Sequence, residues 1–263
     1  MQEATEAGAE KRRVPEIPAP SERISLIIDS DAANEIDDQY AIALAVRAPE
    51  RFAIEGFVAT HFGDKVGSTE ASAEEIERVL GHCGMEGGWP VKRGGDPLQY
   101  SEVPSESEGT DFIIERAMAH SAQEPLWIAV LGACTNVVSA YLKCPEIAAR
   151  VVVLFHGRTQ FWPERCYNFN VVNDVKATRV LFTSSLPLVV FDTGTYLRVS
   201  MEETSSRLAP CGAIGKYLHE IRRRREEYMS PKKAMYDLGD IAFLLEPSVA
   251  EYEEVAAPGL GWD

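Results

Sequence analysis

Acidic side chains are concentrated in one short segment, residues 29–38, directly after an apolar run. The segment holds Asn34, Glu35 and four aspartates: Asp29, Asp31, Asp37 and Asp38. Carboxylates this close repel one another, and a bound cation would relieve the repulsion. Oxygen ligands of this kind suit Ca²⁺ or Mg²⁺ better than Zn²⁺ or Cu²⁺. Turn formation and helix capping account for one or two of these acids but not for all of them. The segment therefore predicts a metal site.

Three further segments carry polar or small residues at places where a ligand could bind. Residues 131–136 (L-G-A-C-T-N) form a small-residue loop, which lets backbone groups come close to a ligand. Residues 167–174 (Y-N-F-N-V-V-N-D) place two amides around a phenylalanine, a pattern that suits hydroxyl recognition but also an ordinary polar loop. Residues 235–240 (M-Y-D-L-G-D) open an apolar helix, where Asp237 taken alone is an acid at a helix N-terminus.

The sequence around these segments predicts alternating strands and helices, which are the elements that would position them. Short runs rich in Val, Ile, Leu and Phe predict strands at residues 24–28, 53–59, 126–130, 151–155 and 187–191. Helices are predicted at residues 37–47, 72–82, 111–120, 136–143 and 174–183, and residues 202–227 and 231–246 as mostly helical. The alternation predicts a single α/β domain, doubly wound or barrel-like, with a mainly parallel central sheet flanked by helices. In an open sheet of this type, ligands bind beyond the carboxyl ends of the strands.

Composition limits the class of partner. The 263 residues include 41 acidic and 26 basic side chains, a formal charge of −15. This excess of acid disfavours nucleic acid and anionic membranes as partners, and is compatible with a small ligand or a metal ion. The five cysteines are widely spaced without a C-x-x-C pair, and no apolar run reaches the roughly 18 residues of a membrane helix. With no apolar signal-peptide region near the N-terminus, a cytoplasmic protein is expected.

Residues 1–22 differ in composition from the remainder of the chain. Glu, Ala and Pro dominate this segment, and it contains no aromatic residue. Such a composition buries too little apolar surface to offset the entropy of ordering. A flexible N-terminal tail is therefore predicted for residues 1–22, followed by one α/β domain over residues 23–263.

Together the four segments resemble the inosine-uridine-preferring nucleoside hydrolase family, which cleaves the N-glycosidic bond of ribonucleosides. Asp29 and Asp31 match the first two acids of the family's D-x-D-x-G-x-D-D motif, and Asp37 and Asp38 match its closing pair. The loop between them is two residues longer, as in a bacterial branch of the family that carries N-E-I-D-D-Q. The resemblance implies a nucleoside hydrolase-like fold with a Rossmann-like core.

The other motifs follow in the family's order, from about residue 24 to residue 247. Thr135 is similar to the threonine of the family's L-T-N turn. Asn168, Asn170 and Asp174 are similar to the E-F-N-x-x-x-D segment, and Asp237 to the aspartate of the H-D-P segment.

The resemblance implies a catalytic calcium ion and a role for each matching residue. The protein ligands of calcium would be Asp31, Asp38, Asp237 and the Thr135 carbonyl. Asp31 would also act as the general base that takes a proton from the attacking water. Asp37 and Asn170 would read the ribose hydroxyls, and Asp29 would orient the loop.

Three positions depart from the family. Asn168 stands where a glutamate that binds the ribose 5′-hydroxyl is expected, and Trp162 stands where a sugar-binding asparagine is expected. Tyr236 replaces the catalytic histidine, and could still hydrogen-bond the departing base. The base could stack on Phe161, Trp162 or Tyr167. His61, after the second strand, is a further candidate for substrate contact.

Two alternatives stay open at this point. An Asp-x-Asp after a strand also opens the haloacid-dehalogenase phosphatases, but Ala33 fills the position where that family has Thr or Val. A non-catalytic ribosyl-binding homologue would keep the metal and lose leaving-group activation. The main reading implies a small nucleoside or N-riboside as substrate, a part in purine or pyrimidine salvage, and a homo-oligomer (dimer or tetramer).

Overall fold

The computed structural model describes residues 12–158, 168–192, 197–257 and residue 260. The three aromatic residues expected to stack on a base, Phe161, Trp162 and Tyr167, lie outside these ranges. Their roles, including the assignment of Trp162 to the substrate site, therefore stay predictions.

Strands and helices alternate along the described chain. The strands are β1 (Ile24–Ser30), β2 (Phe52–Ala59), β3 (Val91–Arg93), β4 (Leu126–Val130), β5 (Val151–Arg158), β6 (Leu188–Asp192), β7 (Arg198–Ser200) and β8 (Lys232–Ala234). The helices are α1 (Asp37–Val46), α2 (Ser68–His82), α3 (Glu108–Met118), α4 (Thr135–Lys143), α5 (Phe169–Asn173), α6 (Val175–Thr183), α7 (Met201–Glu203), α8 (Gly212–Ile221) and α9 (Tyr236–Leu245). A π-helical turn (Thr204–Leu208) follows α7, and 3₁₀ turns lie at Pro145–Ala149, Glu226–Met229 and Pro247–Val249. Within the described residues, no helix combines the length and apolar character needed to cross a membrane.

Six strands form one parallel sheet in the order β3-β2-β1-β4-β5-β6. The chain starts at β1 in the middle, adds β2 and β3 on one side, and then adds β4 to β6 on the other. Strand order therefore reverses between β1 and β4, which leaves a crevice at their carboxyl ends. β7 and β8 form a separate antiparallel pair. The predicted single α/β domain with a mainly parallel sheet flanked by helices is confirmed.

Apolar side chains cover both faces of the sheet, as β1 illustrates. Leu26 and Ile28 belong to the core that also takes in residues of α1, α2, α8 and α9, whereas Ile27 belongs to the core on the side of α3, α4 and α6. Burying a side chain of this size contributes about 1.5–3 kcal/mol. Packing on both faces fixes β1, and with it the position of the acidic segment that follows.

The predicted elements differ from the structure mainly in the C-terminal third. Residues 202–227, predicted as mostly helical, are divided among several short helices, because Pro210 and Gly212 interrupt them. Proline lacks the N–H that a helix needs, and Gly212 has a φ of 81°, in the left-handed region. Residues 231–246, predicted as mostly helical, form a helix from Tyr236 to Leu245, but Lys232–Ala234 before it pairs with Arg198–Ser200 as a strand.

Part of the predicted N-terminal tail is packed on the domain. The Arg12 guanidinium donates to the carbonyl of Leu181 at 2.6 Å and to that of Ser184 at 2.8 Å. The side chain of Arg51 donates to the carbonyls of Ala19 and Pro18. The expected flexible tail over residues 1–22 is therefore corrected for residues 12–22, because these hydrogen bonds fasten that stretch to the domain.

Candidate active site and metal centre

The end of β1 and the start of α1 bring the acidic segment to the crevice. Asp29 lies near the end of β1, and Asp37 and Asp38 open α1. Acids are favourable in the first turn of a helix because its free N–H groups carry partial positive charge. Both Asp37 and Asp38 are only 1% exposed, however, so water does little to solvate their charges.

Asp237 joins this pair from the other end of the chain. It lies in the first turn of α9, and one oxygen each of Asp37, Asp38 and Asp237 lies within 4.8 Å of the other two. The Asp237 backbone N–H donates to Asp37 Oδ2 at 3.1 Å, and the Ser30 hydroxyl donates to Asp38 Oδ1 at 2.5 Å. These donors hold three buried carboxylates, the acidic cluster, in one place.

Burial and mutual repulsion both disfavour the charged forms of these acids. Burial, followed by the charge of Asp37, raises the pKa of Asp38 to about 7. Burial and the charges of Asp37 and Asp38 raise the pKa of Asp237. The pKa of Asp31 is raised by burial and by the charges of Asp38 and Asp37. A cation bound between the carboxylates would offset these costs.

Two oxygens of the acidic cluster lack a hydrogen-bond donor within the described residues: Asp37 Oδ1 and Asp237 Oδ1. Leaving a buried acceptor unpaired costs about 1–3 kcal/mol. Anionic oxygens gathered at this spacing are the ligands that hard divalent cations prefer. The residues present therefore fit a hard divalent metal ion.

Asp31 lies beside the acidic cluster, directly after β1. Its Oδ2 accepts a hydrogen bond from the Asn34 amide at 3.2 Å, and its carboxylate is not one of the three that lie within 4.8 Å of each other. The small-residue loop after β4 packs against it. A Cβ on Gly132 would lie 3.1 Å from Asp31 Cβ and 2.4 Å from Thr60 Cγ2. Only glycine fits at position 132 without moving Asp31 or Thr60.

Thr135 begins α4 and is hydrogen-bonded on both sides through its hydroxyl. The hydroxyl donates to Asp174 Oδ2 at 2.7 Å, and His61 Nε2 lies 2.9 Å from the hydroxyl oxygen, Thr135 Oγ1. Because the Thr135 hydrogen is given to Asp174, His61 must donate its Nε2–H, and its Nδ1 is left as an acceptor. Burial lowers the pKa of His61, although the charges of Asp174 and Asp96 act to raise it. The lowered pKa favours the neutral ring. The buried Nδ1 has no partner among the described residues, so it can accept a hydrogen bond from a ligand.

The two predicted sugar-binding asparagines occupy different places in the hydrogen-bond network. Asn168 caps α5, since its Oδ1 accepts from the backbone N–H of Asn170 and of Val171. Only its amide nitrogen is left to donate to a sugar. The Asn170 amide donates to the carbonyls of Leu131 and His156, at 2.6 and 3.0 Å. Both amide hydrogens are therefore used, and its Oδ1 is the atom left to accept from a hydroxyl.

Tyr236 is the half-buried first residue of α9, next to Asp237 in the chain. Lys233 Nζ lies 4.9 Å from the centroid of its ring and 2.6 Å from Glu35 Oε2. This cation–π contact and ion pair connect Tyr236 to the acidic segment. The ring is therefore anchored beside the site, and its role toward a leaving group stays a prediction.

Two residues of the site, Asp240 and Gln39, were not singled out for it by the sequence reasoning, whereas His156 after the fourth predicted strand was a candidate for ligand contact. Asp240 lies one turn after Asp237 on α9, and His156 Nδ1 bonds its Oδ2 at 2.6 Å. Gln39 donates to the Ala32 carbonyl at 2.7 Å and to Glu75 Oε1 at 3.1 Å, which holds the acidic segment. The signal for Asp240 is its spacing of three from Asp237, which places both on one face of a helix.

Asp29 is completely buried near the end of β1. The Asn136 amide donates to Asp29 Oδ1 at 3.0 Å, and Asn136 Oδ1 in turn accepts from the Gly95 N–H. Burial raises the pKa of Asp29 to about 8, with the Asn136 bond acting in the opposite direction. This arrangement joins the ends of β1 and β4 across the crevice.

The model of the family described as inosine-uridine preferring nucleoside hydrolase matches residues 26–258 of the chain. The chain belongs to this family. The resemblance stated from the four sequence motifs is therefore confirmed. The alternative reading as a haloacid-dehalogenase phosphatase is wrong.

Relatives of this nucleoside hydrolase agree with the assignment. The non-specific ribonucleoside hydrolase RihC of Salmonella enteritidis PT4 is 26% identical over 250 residues, covering 86% of this chain and 80% of its own. A plant nucleoside hydrolase, PpNRh1, superposes with a TM-score of 0.69 at 19% identity, over 88% of this chain and 81% of its own. A purine-preferring ribonucleoside hydrolase from Gardnerella vaginalis has a TM-score of 0.69 at 17% identity, over 88% and 83% of the two chains. These superpositions show the shared fold.

Membership of the family makes this protein an enzyme of the N-glycosidase class, as predicted. The family hydrolyses the N-glycosidic bond of small ribonucleosides and depends on a metal ion. The acidic cluster is the part of this chain whose chemistry fits that ion.

Proposed function

We propose that this nucleoside hydrolase uses a bound calcium ion to cleave a ribonucleoside or a related N-riboside, giving ribose and the free base. The observation that carries the proposal is the acidic cluster, with its unpaired oxygens, at the crevice of the sheet. Its place beyond the carboxyl ends of β1 and β4 is where a sheet of this topology binds its ligand.

Calcium is proposed over magnesium because of the number of protein oxygens at hand. Ca²⁺ takes six to eight oxygen ligands in variable geometry, whereas Mg²⁺ requires a near-ideal octahedron and retains several waters. The proposed ligands are Asp31, Asp38, Asp237 and the Thr135 carbonyl. Asp37 belongs to the acidic cluster as well, and its free Oδ1 can bond a sugar hydroxyl or the ion. Calcium, when bound, would orient a water molecule and lower its pKa.

Asp31 is the proposed general base. It lies at the carboxyl end of β1, and its carboxylate is outside the group of three that converge within 4.8 Å. A carboxylate has two oxygens, so Asp31 could offer one to calcium and take the proton of the attacking water with the other. Gly132 and Asn34 fix its position, so the proton acceptor is oriented before substrate binds.

In this proposal, most of the groups that bind the sugar are hydrogen-bond acceptors. Asp37 Oδ1 and His61 Nδ1 have no hydrogen-bond partner among the described residues, and these two atoms and Asn170 Oδ1 can each accept a hydrogen bond from a ribose hydroxyl. The Asn168 amide nitrogen can donate to a 5′-oxygen whether or not that oxygen carries a hydrogen. A site built this way should reject a sugar that lacks the hydroxyl it reads, because a buried acceptor would be left unpaired.

Tyr236 is the proposed aid to base departure, by a hydrogen bond from its hydroxyl, with Trp162 as the stacking surface. A non-catalytic ribosyl-binding protein is the second candidate, and the specific observation that favours it is the absence of a histidine at the position of Tyr236. An unperturbed tyrosine, with a pKa near ~10, donates a proton less readily than histidine does.

Release of reducing sugar separates the two candidates. Purine and pyrimidine ribosides should yield ribose in calcium and much less after chelation, and 2′-deoxyribosides should react poorly. A protein that binds ribosides by calorimetry but releases no sugar would be the binding homologue. Equal rates on ribosides and deoxyribosides would contradict the roles given to Asp37 and Asn170.

A cytoplasmic location, a part in salvage and a dimer or tetramer stay predictions from the sequence.

A further inference from the structure

A second group of potential metal ligands adjoins the acidic cluster. His156 on β5, with Asp237 and Asp240 on α9, offers one nitrogen and two oxygens that lie within 4.8 Å of one another. His156 Nδ1 lies 2.6 Å from Asp240 Oδ2 and 3.7 Å from Asp237 Oδ1. All three side chains are buried. The imidazole nitrogen thus lies between two carboxylates, one of which is shared with the acidic cluster.

A hydrogen bond between His156 and Asp240 leaves much of this group unsatisfied. His156 Nδ1 donates its proton to Asp240 Oδ2, while Asp237 Oδ1, Asp240 Oδ1 and His156 Nε2 have no hydrogen-bond partner within the described residues. Asp240 is completely buried, so water does not compensate its free oxygen. Buried polar atoms are paired in most native structures, and unpaired ones call for an ion or a ligand.

The spacing along α9 gives a second argument. Residues three apart on a helix face the same way, and two like charges at this spacing repel each other. Asp237 and Asp240 meet this condition in a buried place, next to the further carboxylates of Asp37 and Asp38. A cation bound between Asp237 and Asp240 would relieve this repulsion.

We propose that His156, Asp240 and Asp237 form a second metal site, with Asp237 shared between the two metals. The inference rests on the proposed function only through that shared residue. An imidazole nitrogen beside two carboxylates suits a transition-metal ion such as Mn²⁺ or Zn²⁺, whereas the all-oxygen cluster suits calcium. Three protein ligands leave positions open for water or substrate, as in catalytic rather than structural sites. Pairs of metals in hydrolytic enzymes lie about 3.5–4 Å apart, and a shared carboxylate is compatible with that distance.

Metal binding in the presence of excess calcium tests the site. The protein is stripped with a chelator, saturated with Ca²⁺, and titrated with Mn²⁺, with free Mn²⁺ measured by electron paramagnetic resonance and both metals by mass spectrometry. Mn²⁺ is the better probe because the thiols of Cys144 and Cys211 would bind Zn²⁺ adventitiously. The proposal expects one calcium and one manganese per chain.

Two conservative variants and one control complete the experiment. Asp240→Asn and His156→Gln should retain calcium and weaken Mn²⁺ binding at least ~10-fold, while the exposed Glu86→Gln should bind both as wild type. Thermal unfolding confirms that each variant is folded. If the wild type binds no Mn²⁺ beside calcium, or if both variants bind it normally, the second site does not exist and His156–Asp240 is only an ion pair. Asp38→Asn should lose calcium in either case, so failure of the calcium site is seen separately.

Discussion

Replacing Asp38 by asparagine should have opposite effects on stability with and without calcium. The Asp38 Oδ1 that accepts from Ser30 has a counterpart in the asparagine carbonyl, so the buried hydrogen bond is kept while the charge is removed. In metal-free protein the change relieves repulsion from Asp37 and Asp237, whose oxygens lie within 4.8 Å. With calcium it removes a ligand.

The magnitudes follow from these distances. Two unit charges about 4.8 Å apart interact with about 3.5 kcal/mol at an effective dielectric constant of about 20. Partial protonation of the cluster reduces this value, so the metal-free variant should be more stable than wild type by on the order of 1–3 kcal/mol. Calcium at about 100 times its Kd should stabilise wild type by ~2.7 kcal/mol and the variant by much less. For a chain near this size, each kcal/mol moves Tm by about 2–4 °C.

Thermal unfolding in chelator and in calcium measures both effects, with Glu86→Gln as the exposed control that should follow wild type. The curves of wild type and Asp38→Asn should therefore change order when calcium is added. A variant that is less stable than wild type in chelator would refute the repulsion argument. Equal stabilisation of both proteins by calcium would remove Asp38 from the metal site.

Three other changes give separate tests. Asp31→Asn should lower turnover by about 10²-fold or more with riboside binding largely kept, because it removes the proton acceptor; near-normal turnover would exclude that role. Gly132→Ala should cost about 1–3 kcal/mol in denaturant unfolding, since its Cβ would meet Thr60 and Asp31, whereas Gly81→Ala, with open space around it, should not destabilise the protein. Tyr236→Phe should slow nucleoside cleavage but leave a nitrophenyl riboside, which needs no acid, nearly unaffected; equal effects on both substrates would make Tyr236 structural.

The central strands could be predicted from the sequence because they are buried on both faces. β4 spans the predicted residues, and β1 continues only two residues past the prediction. β3 could not be predicted: it has three residues, two of them Lys92 and Arg93, so it shows no apolar run. β8 was missed for a similar reason, since its pairing with the distant β7 decides its structure.

The acidic segment could be located from the sequence, but its arrangement in space could not. The structure places Asp37, rather than Asp31, in the converging group with Asp38 and Asp237. This grouping of the carboxylates depends on how α9 packs along α1. The contact between Asp237 and Asp37 joins residues that are 200 positions apart in the chain. The capping role of Asn168 and the Asp240–His156 pair depend on tertiary contacts in the same way.

Hydrolysis in water enriched in ¹⁸O tests the central claim most directly. A ribonucleoside is incubated with the calcium-loaded protein, and the released sugar and base are analysed by mass spectrometry. The account predicts free base together with ribose that carries one solvent oxygen, and no such products from Asp38→Asn or in chelator. Intact nucleoside after prolonged incubation with a panel of purine and pyrimidine ribosides, or unlabelled ribose, would contradict it.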